Sequence, residues 1–296
     1  MFDGVHLGHQ RLIRAAIRLA RRLRTASLVL TFDPDPQTVL APKQAQPRLM
    51  PLAVRMRLMR TLGIDRIRVI PFTRAFSRFS AEQFVRAILV HRLRAACVVV
   101  GENFAFGRAR RGNVGVLRSL GRRDGLRVVV VPPVMRGGAP VSSSRIRRLL
   151  EEGRVSDANR LLGRPAQLAG VVVRGDRRAR QLGFPTANLR VSNELLPPRG
   201  VYQVRLEAGG RCHEGLMNLG VRPTFASAKL AHESARAKQG FARPLVCEVH
   251  LVGFRGNLYG RSVTVHLLRR LRGERRFESA QALIRQIRRD LLRVRH

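Results

Sequence analysis

Two short stretches carry side chains suited to handling phosphate. Gly4-Val5-His6-Leu7-Gly8-His9 sets two imidazoles three residues apart around a glycine, just ahead of a run with helical periodicity. A helix N-terminus attracts anions, glycine admits close backbone approach, and two histidines can donate to the oxygens of a triphosphate. The spacing alone is weak, because a pair of capping or surface histidines writes the same letters. Its weight comes from Val141-Ser142-Ser143-Ser144-Arg145-Ile146-Arg147, which gathers three hydroxyls and two guanidiniums at a second helix start. Dipoles and a forked cation suit leaving-group phosphates, with an ordinary serine-rich cap as the competing explanation. Taken alone, residues 185–188 read as a turn and Glu248 as an exposed strand residue.

The elements that must position these groups come in two textures. Up to about residue 163, strand-like runs at 28–32, 67–72, 97–101 and 126–131 alternate with amphipathic helical stretches. In the first of these, Leu12, Ile13, Ala16, Ile17, Ala20 and Leu23 repeat at helical spacing with arginines opposite, and similar patterns recur over 81–90 and 146–152. Such alternation predicts a parallel sheet covered on both faces, with ligands outside the carboxyl ends of the strands. Beyond Gly163-Arg164-Pro165, strands at 168–173, 201–207, 214–218, 245–254 and 262–268 are joined by Gly- and Pro-containing turns. That predicts a small closed or half-closed β-barrel. A last helix follows, with Phe277, Ala280, Leu283, Ile284, Ile287 and Leu291 on one face and Ser279 as its N-cap. The domain boundary falls within 159–166.

Composition narrows the function. With 296 residues, 45% of them hydrophobic, the chain is long enough for two cored domains. No run approaches the ~18 apolar residues of a membrane span, and no signal-peptide core is visible at the start. Cys97, Cys212 and Cys247 lie far apart with no ligand spacing, which argues against a disulfide framework or zinc site. They read as small buried hydrophobes in a reducing cytoplasm. The formal charge is +38, from 57 Lys+Arg against 19 Asp+Glu. Only Lys43, Lys229 and Lys238 are lysines, and the arginines are spread along the chain without a basic tail. That pattern reads as a global preference for arginine, so nucleic acid is not the expected partner. A polyanion-binding protein is the alternative from a different class.

The motifs together resemble bacterial bifunctional riboflavin kinase/FMN adenylyltransferases. In the first half these are Phe2-Asp3-Gly4-Val5-His6-Leu7-Gly8-His9-Gln10, Thr31-Phe32-Asp33-Pro34, Gly101-Glu102-Asn103-Phe104 with Phe106-Gly107, and the serine-arginine stretch. In the second they are Leu182-Gly183-Phe184-Pro185-Thr186-Ala187-Asn188-Leu189, Gly200-Val201-Tyr202, and Asn218-Leu219-Gly220-Val221-Arg222-Pro223-Thr224-Phe225. Glu248-Val249-His250, Leu258-Tyr259-Gly260-Arg261 and Leu271-Arg272-Gly273-Glu274 with Phe277 complete the set. The resemblance implies an α/β nucleotidyltransferase domain, Rossmann-like, over residues 1–163. It implies a six-stranded riboflavin kinase barrel with a C-terminal helix over 164–296.

It also implies roles. His6 and His9 stabilise charge during adenylyl transfer, while Gly4, Gly8, Asn103, Ser143 and Arg145 bind nucleotide or phosphate. Glu248 is the kinase base and not merely an exposed strand residue, Gly175 lies against phosphate, Thr186 and Asn188, facing the same way on an extended segment instead of a turn, serve phosphate and Mg²⁺, and Arg272 and Glu274 bind flavin. ATP is co-substrate, riboflavin and FMN are acceptors, and FMN and FAD are products. His250, beside the base, is expected to be structural.

Four departures from the family pattern raise expectations of their own. Relatives carry a β-strand directly before the Phe2 motif, and here only Met1 stands there. Relatives have glycines near Arg177 and Ala179, where side chains would restrict a phosphate loop. Residues 226–243 read as a surface insertion. Asp35 stands where His is usual and Ala105 where Arg is usual. These departures make a member with only one of the two activities the nearest alternative.

Overall fold

The computed structural model describes residues 2–175, 182–221, 245–275 and 277–294. Two compact units emerge: Met1–Pro47 with Leu52–Ser143, and Arg48–Pro51 with Ser144–His296.

In the first unit, helix α1 (Leu7–Arg22) buries Ile13, Ile17 and Ala20 and turns its arginines outward, as its periodicity predicts. Strand β1 (Leu28–Asp33) follows, then the short α2 (Pro36–Leu40), α3 (Leu52–Thr61) and β2 (Arg66–Pro71). β1 and β2 pair in parallel, with Leu28 opposite Arg66. Next come α4 (Arg74–Ser77) and α5 (Ala81–Gln83), the latter started by a reciprocal Ser80–Gln83 capping box. The helix expected over 81–90 is present, but beyond α5 it runs as a π-helix, Phe84–Arg92. Strands β3 (Cys97–Gly101) and β4 (Arg127–Val131) pair in parallel across α6 (Val114–Arg123). Phe84, Val85, Ile88, Leu89, Val100 and Leu117 form a core between them. Among the described residues no ladder joins the β1–β2 pair to the β3–β4 pair. A two-residue hairpin, β5 (Met135–Arg136) and β6 (Ala139–Pro140), leads into α7 (Ser143–Glu151) and α8 (Val155–Leu162), which Gly163 ends in the left-handed region at φ 71°.

The second unit, which begins with α7 and α8, is built on a closed six-stranded barrel. Its strands are β7 (Ala166–Val173), β8 (Thr186–Val191), β9 (Gly200–Ala208), β10 (Arg211–Val221), β11 (Leu245–Leu251) and β12 (Ser262–Arg272). They close in the order β10-β11-β8-β7-β12-β9. Alternation sends Val204, Leu206, Met217, Val249 and Val265 into a fully buried interior. The extended segment that the resemblance implies at Thr186 and Asn188 is found, since Thr186 opens β8, which is held on both sides by β7 and β11. Two expectations change. The strand expected to reach 254 stops at Leu251, where Val252 and Gly253, at φ 66°, turn the chain. The strand expected over 214–218 runs from Arg211 to Val221 because it pairs on both edges.

Ser279 caps α9 (Ala280–Leu292), its Oγ accepting from the Ala282 N–H at 3.2 Å. Asp290 of α9 is 1% exposed and accepts from Arg272 Nε at 2.9 Å and Gln286 Nε2 at 2.9 Å. Of the cysteines, Cys247 is buried, Cys97 half-buried and Cys212 exposed, so the buried-hydrophobe reading holds fully only for Cys247. Arg177, Ala179 and residues 226–243 lie outside the described residues.

Candidate functional site

The Gly4–His9 stretch is a tight turn locked onto a helix start. Val5 N–H donates to Phe2 O at 3.2 Å, with Gly4 at φ 82° and Val5 at φ 41°. Positive φ is costly for a β-branched residue and persists only where the surroundings impose it. Here Gln10 Nε2 donates to Val5 O at 3.0 Å, and Ser143 Oγ donates to Asp3 O at 2.8 Å. His6, 5% exposed, is the N-cap of α1, its Nδ1 accepting from the His9 N–H at 3.4 Å. That leaves Nε2 as the protonated nitrogen of a neutral ring. The two imidazoles stack with centroids 3.7 Å apart. A Cβ on Gly8 would sit 3.1 Å from His6 Cε1, so the missing side chain makes room for that ring.

Ser143 and Arg145 occupy the first turn of α7, and the serine's proton is given to the Asp3 carbonyl while its oxygen can still accept. Asn103 is exposed in the turn after β3, at the carboxyl end of that strand. Asp35, one of the departures, caps α2 by accepting from the Gln37 N–H at 2.9 Å.

At those same strand ends lies a feature that the sequence reading left unassigned. Phe32, Phe72 and Phe76 contact one another at 5.5–5.7 Å between centroids, and Phe76 stacks on Phe79 at 5.1 Å. All four are half-buried rather than buried. The available signal was positional: Phe32 ends one predicted strand and Phe72 another.

In the barrel, three polar side chains form a row across neighbouring strands. Glu248 of β11 is directly opposite Asn188 of β8 on one side and Asn218 of β10 on the other. The adjacent positions Met217 and Val249 point into the interior, so the polar row lies on the outer face. Gly175 presses against the Asn188 amide, where a Cβ would collide with it. At the other end a Cβ on Gly220 would strike the Glu274 carboxylate and come 3.6 Å from Asn218 Nδ2. The structure therefore gathers Gly175, Asn188, Glu248 and Glu274, and adds Asn218, which sequence reasoning quoted in a motif without assigning a role. Thr186 is opposite His250, whose Nδ1–H donates to Pro185 O at 2.9 Å. His250 thus fixes the entry to β8, in keeping with a structural part. Arg272 is committed at Nε to buried Asp290 and lies 5.7 Å over the Phe277 ring. A cavity in this unit, lined in part by Leu49, Leu150, Leu162 and Leu168, contains none of these residues.

The FAD synthetase family pattern matches residues 1–145, and the riboflavin kinase pattern matches residues 162–296. A bifunctional riboflavin kinase/FMN adenylyltransferase from Escherichia coli K12 is 34% identical over 295 residues, covering 99% of this chain and 90% of the relative. Its counterpart from Pseudomonas fluorescens is 37% identical over 294 residues, with the same coverage. The chain belongs to the bifunctional riboflavin kinase/FMN adenylyltransferase family. A crystal structure described as a macrolide-efflux protein from Streptococcus pneumoniae shares the fold, at 30% identity and TM-score 0.86 over 100% of this chain and 91% of that one. Among the described residues no helix is long and apolar enough to cross a membrane. Both halves of this family member match, so neither the single-activity alternative nor the polyanion-binding one gains support.

Proposed function

We propose that this chain phosphorylates riboflavin with ATP to give FMN, then joins AMP from a second ATP to FMN to give FAD and pyrophosphate. Residues 164–296 carry the first step and residues 1–163 the second, in the cytoplasm. The row Asn188–Glu248–Asn218, with Gly175 at one end, is the observation that carries the kinase assignment.

Glu248 accepts the proton of the terminal ribityl hydroxyl as its oxygen attacks the γ-phosphorus and ADP leaves. Gly175, lacking a side chain, packs directly on the Asn188 amide and presents bare backbone to a phosphate beside it. Thr186 and Asn188 offer neutral oxygens, a donor set suited to Mg²⁺ that keeps most of its water. When bound there, Mg²⁺ would neutralise charge on the phosphates. Arg272 and Glu274 hold the flavin side.

In the other reaction the FMN phosphate is already an anion, so positioning and electrostatics replace a base. Its oxygen attacks the α-phosphorus of ATP, and the bond to pyrophosphate breaks. His6 and His9 donate to the triphosphate at the α1 N-terminus, with Gly4 and Gly8 keeping that turn open. Asn103 places substrate, and Ser143 and Arg145 hold phosphate oxygens. The half-buried cluster of Phe32, Phe72, Phe76 and Phe79 offers a flat apolar surface suited to an isoalloxazine ring. Separate chromatographic assays test the proposal: FMN from riboflavin and ATP, and FAD with pyrophosphate from FMN and ATP. A protein that forms neither product overturns it.

A further inference from the structure

We propose that Asn218 binds the secondary hydroxyls of the ribityl chain and holds the acceptor beside Glu248. This rests on the kinase reading above and adds a residue to it. In an antiparallel ladder, directly opposed residues have Cβ atoms ~4.5–5.5 Å apart on one face. Asn188, Glu248 and Asn218 are opposed in succession, so Glu248 has one amide neighbour on each side. The two neighbours differ in their surroundings. Asn188 has Gly175 packed against its amide so closely that a Cβ there would collide with it. Asn218 has Gly220 two residues along its own strand, and the Glu274 carboxylate lies over that glycine.

A base that takes a proton during phosphoryl transfer must stand between the phosphate donor and the hydroxyl acceptor. With phosphate at the Gly175–Asn188 end, the acceptor enters from the Asn218 end. Asn218 is chemically suited to it. Its side chain is exposed, and among the described residues it makes no hydrogen bond. Asparagine is depleted in strands, so packing and propensity give no reason for it here. An amide both donates and accepts, and so does each hydroxyl of a polyol chain. The assigned ligand class is therefore a polyhydroxylated chain attached to an aromatic ring.

The test compares riboflavin with 7,8-dimethyl-10-(5-hydroxypentyl)isoalloxazine, which keeps the ring and the reactive terminal hydroxyl and lacks the secondary ones. Both phosphorylation kinetics and quenching of flavin fluorescence on binding are measured for the parent, Asn218→Ala and Asn218→Ser. The expected result is a KM for riboflavin raised about tenfold in Asn218→Ala, an unchanged KM for ATP, and unchanged FAD synthesis from FMN. The parent's preference for riboflavin over the hydroxypentyl flavin shrinks about tenfold in Asn218→Ala and partially in Asn218→Ser. A purely structural role would weaken both flavins alike. An undiminished preference, or a rise in KM for ATP instead of riboflavin, overturns the assignment. Failure of the kinase reading would look different: Glu248→Gln would then still phosphorylate riboflavin at the parent rate.

Discussion

Gly175 and Asn188 are packed so closely that no β-carbon fits between them. The contact joins Gly175, two residues beyond β7, to one end of the polar row, next to Glu248. Gly175→Ala must therefore displace the Asn188 amide or the backbone that faces it. The expected outcome is a fall of about tenfold or more in FMN formation, because small displacements in a positioned site are expensive in rate. FAD formation from supplied FMN stays at the parent value. Equal loss in both assays would place the effect in global folding instead.

Glu248→Gln keeps the shape of the side chain and removes its basicity. General-base catalysis contributes about 10²–10⁴-fold, so FMN formation should drop by at least ~10²-fold. The adenylyl step, measured from FMN, should be nearly unchanged. Riboflavin phosphorylation at the parent rate would sink the assignment of Glu248 as base.

The turn at His6 makes a sharper test, because activity and stability should move in opposite directions. Gly8 lies inside α1, where alanine is favoured over glycine by up to about 1 kcal/mol. Yet its Cβ would press on the His6 ring at 3.1 Å and push it by a few tenths of an ångström. Gly8→Ala should leave the melting temperature equal or higher while slowing FAD synthesis from FMN, with riboflavin phosphorylation intact. His6→Ala and His9→Ala should show the same selectivity with larger losses. A Gly8→Ala protein with undiminished FAD synthesis would show that the placement of His6 does not matter.

The periodicities of the sequence were enough to place α1, the parallel strand runs and the change to a barrel. Strand β8 was legible only through its motif, because Pro185 and Asn188 carry turn propensity that pairing to β7 and β11 overrides. The π-helical run from Phe84 was hidden, since its apolar spacing resembles that of an α-helix. Glu248 and Asn188 stood out through their motifs, but the row they make with Asn218 depends on strand register, which joins residues 30 and 60 positions apart. The phenylalanine cluster was missed for the same reason, as contacts across separate strand ends leave no mark in local spacing.

Tyr202 gives a test of the barrel core by pH. It is fully buried, its hydroxyl donates to the Pro198 carbonyl, and burial pushes its pKa up to about 12. A folded pKa above the unfolded value near 10 means that neutral Tyr202 contributes stability that is complete below about pH 10. That contribution is lost as pH rises toward 12. Since the chain has two tyrosines and no tryptophan, a Tyr259→Phe variant leaves Tyr202 as the only source of phenolate absorbance near 295 nm. Its ionisation should coincide with loss of barrel structure at high pH, and Tyr202→Phe should shift that loss upward. Reversible ionisation near pH 10 in a folded barrel would contradict the burial argument.

The last prediction concerns the two strand pairs of the first unit. β1 pairs only with β2 and β3 only with β4 among the described residues, so each pair is a two-stranded parallel sheet. Such small sheets are marginal by themselves, and parallel sheets ordinarily gain stability by burying both faces in a continuous ladder. Helix packing helps, since Val100, Leu117 and their neighbours share a core, but it does not supply the missing backbone pairing. Amides of Leu28–Asp33 and Cys97–Gly101 should therefore exchange with solvent faster than those of β9 and β10, which are paired on both edges of a closed barrel. Hydrogen exchange read residue by residue checks this, and barrel-like protection of β1 and β3 would show that side-chain packing alone holds these pairs in place.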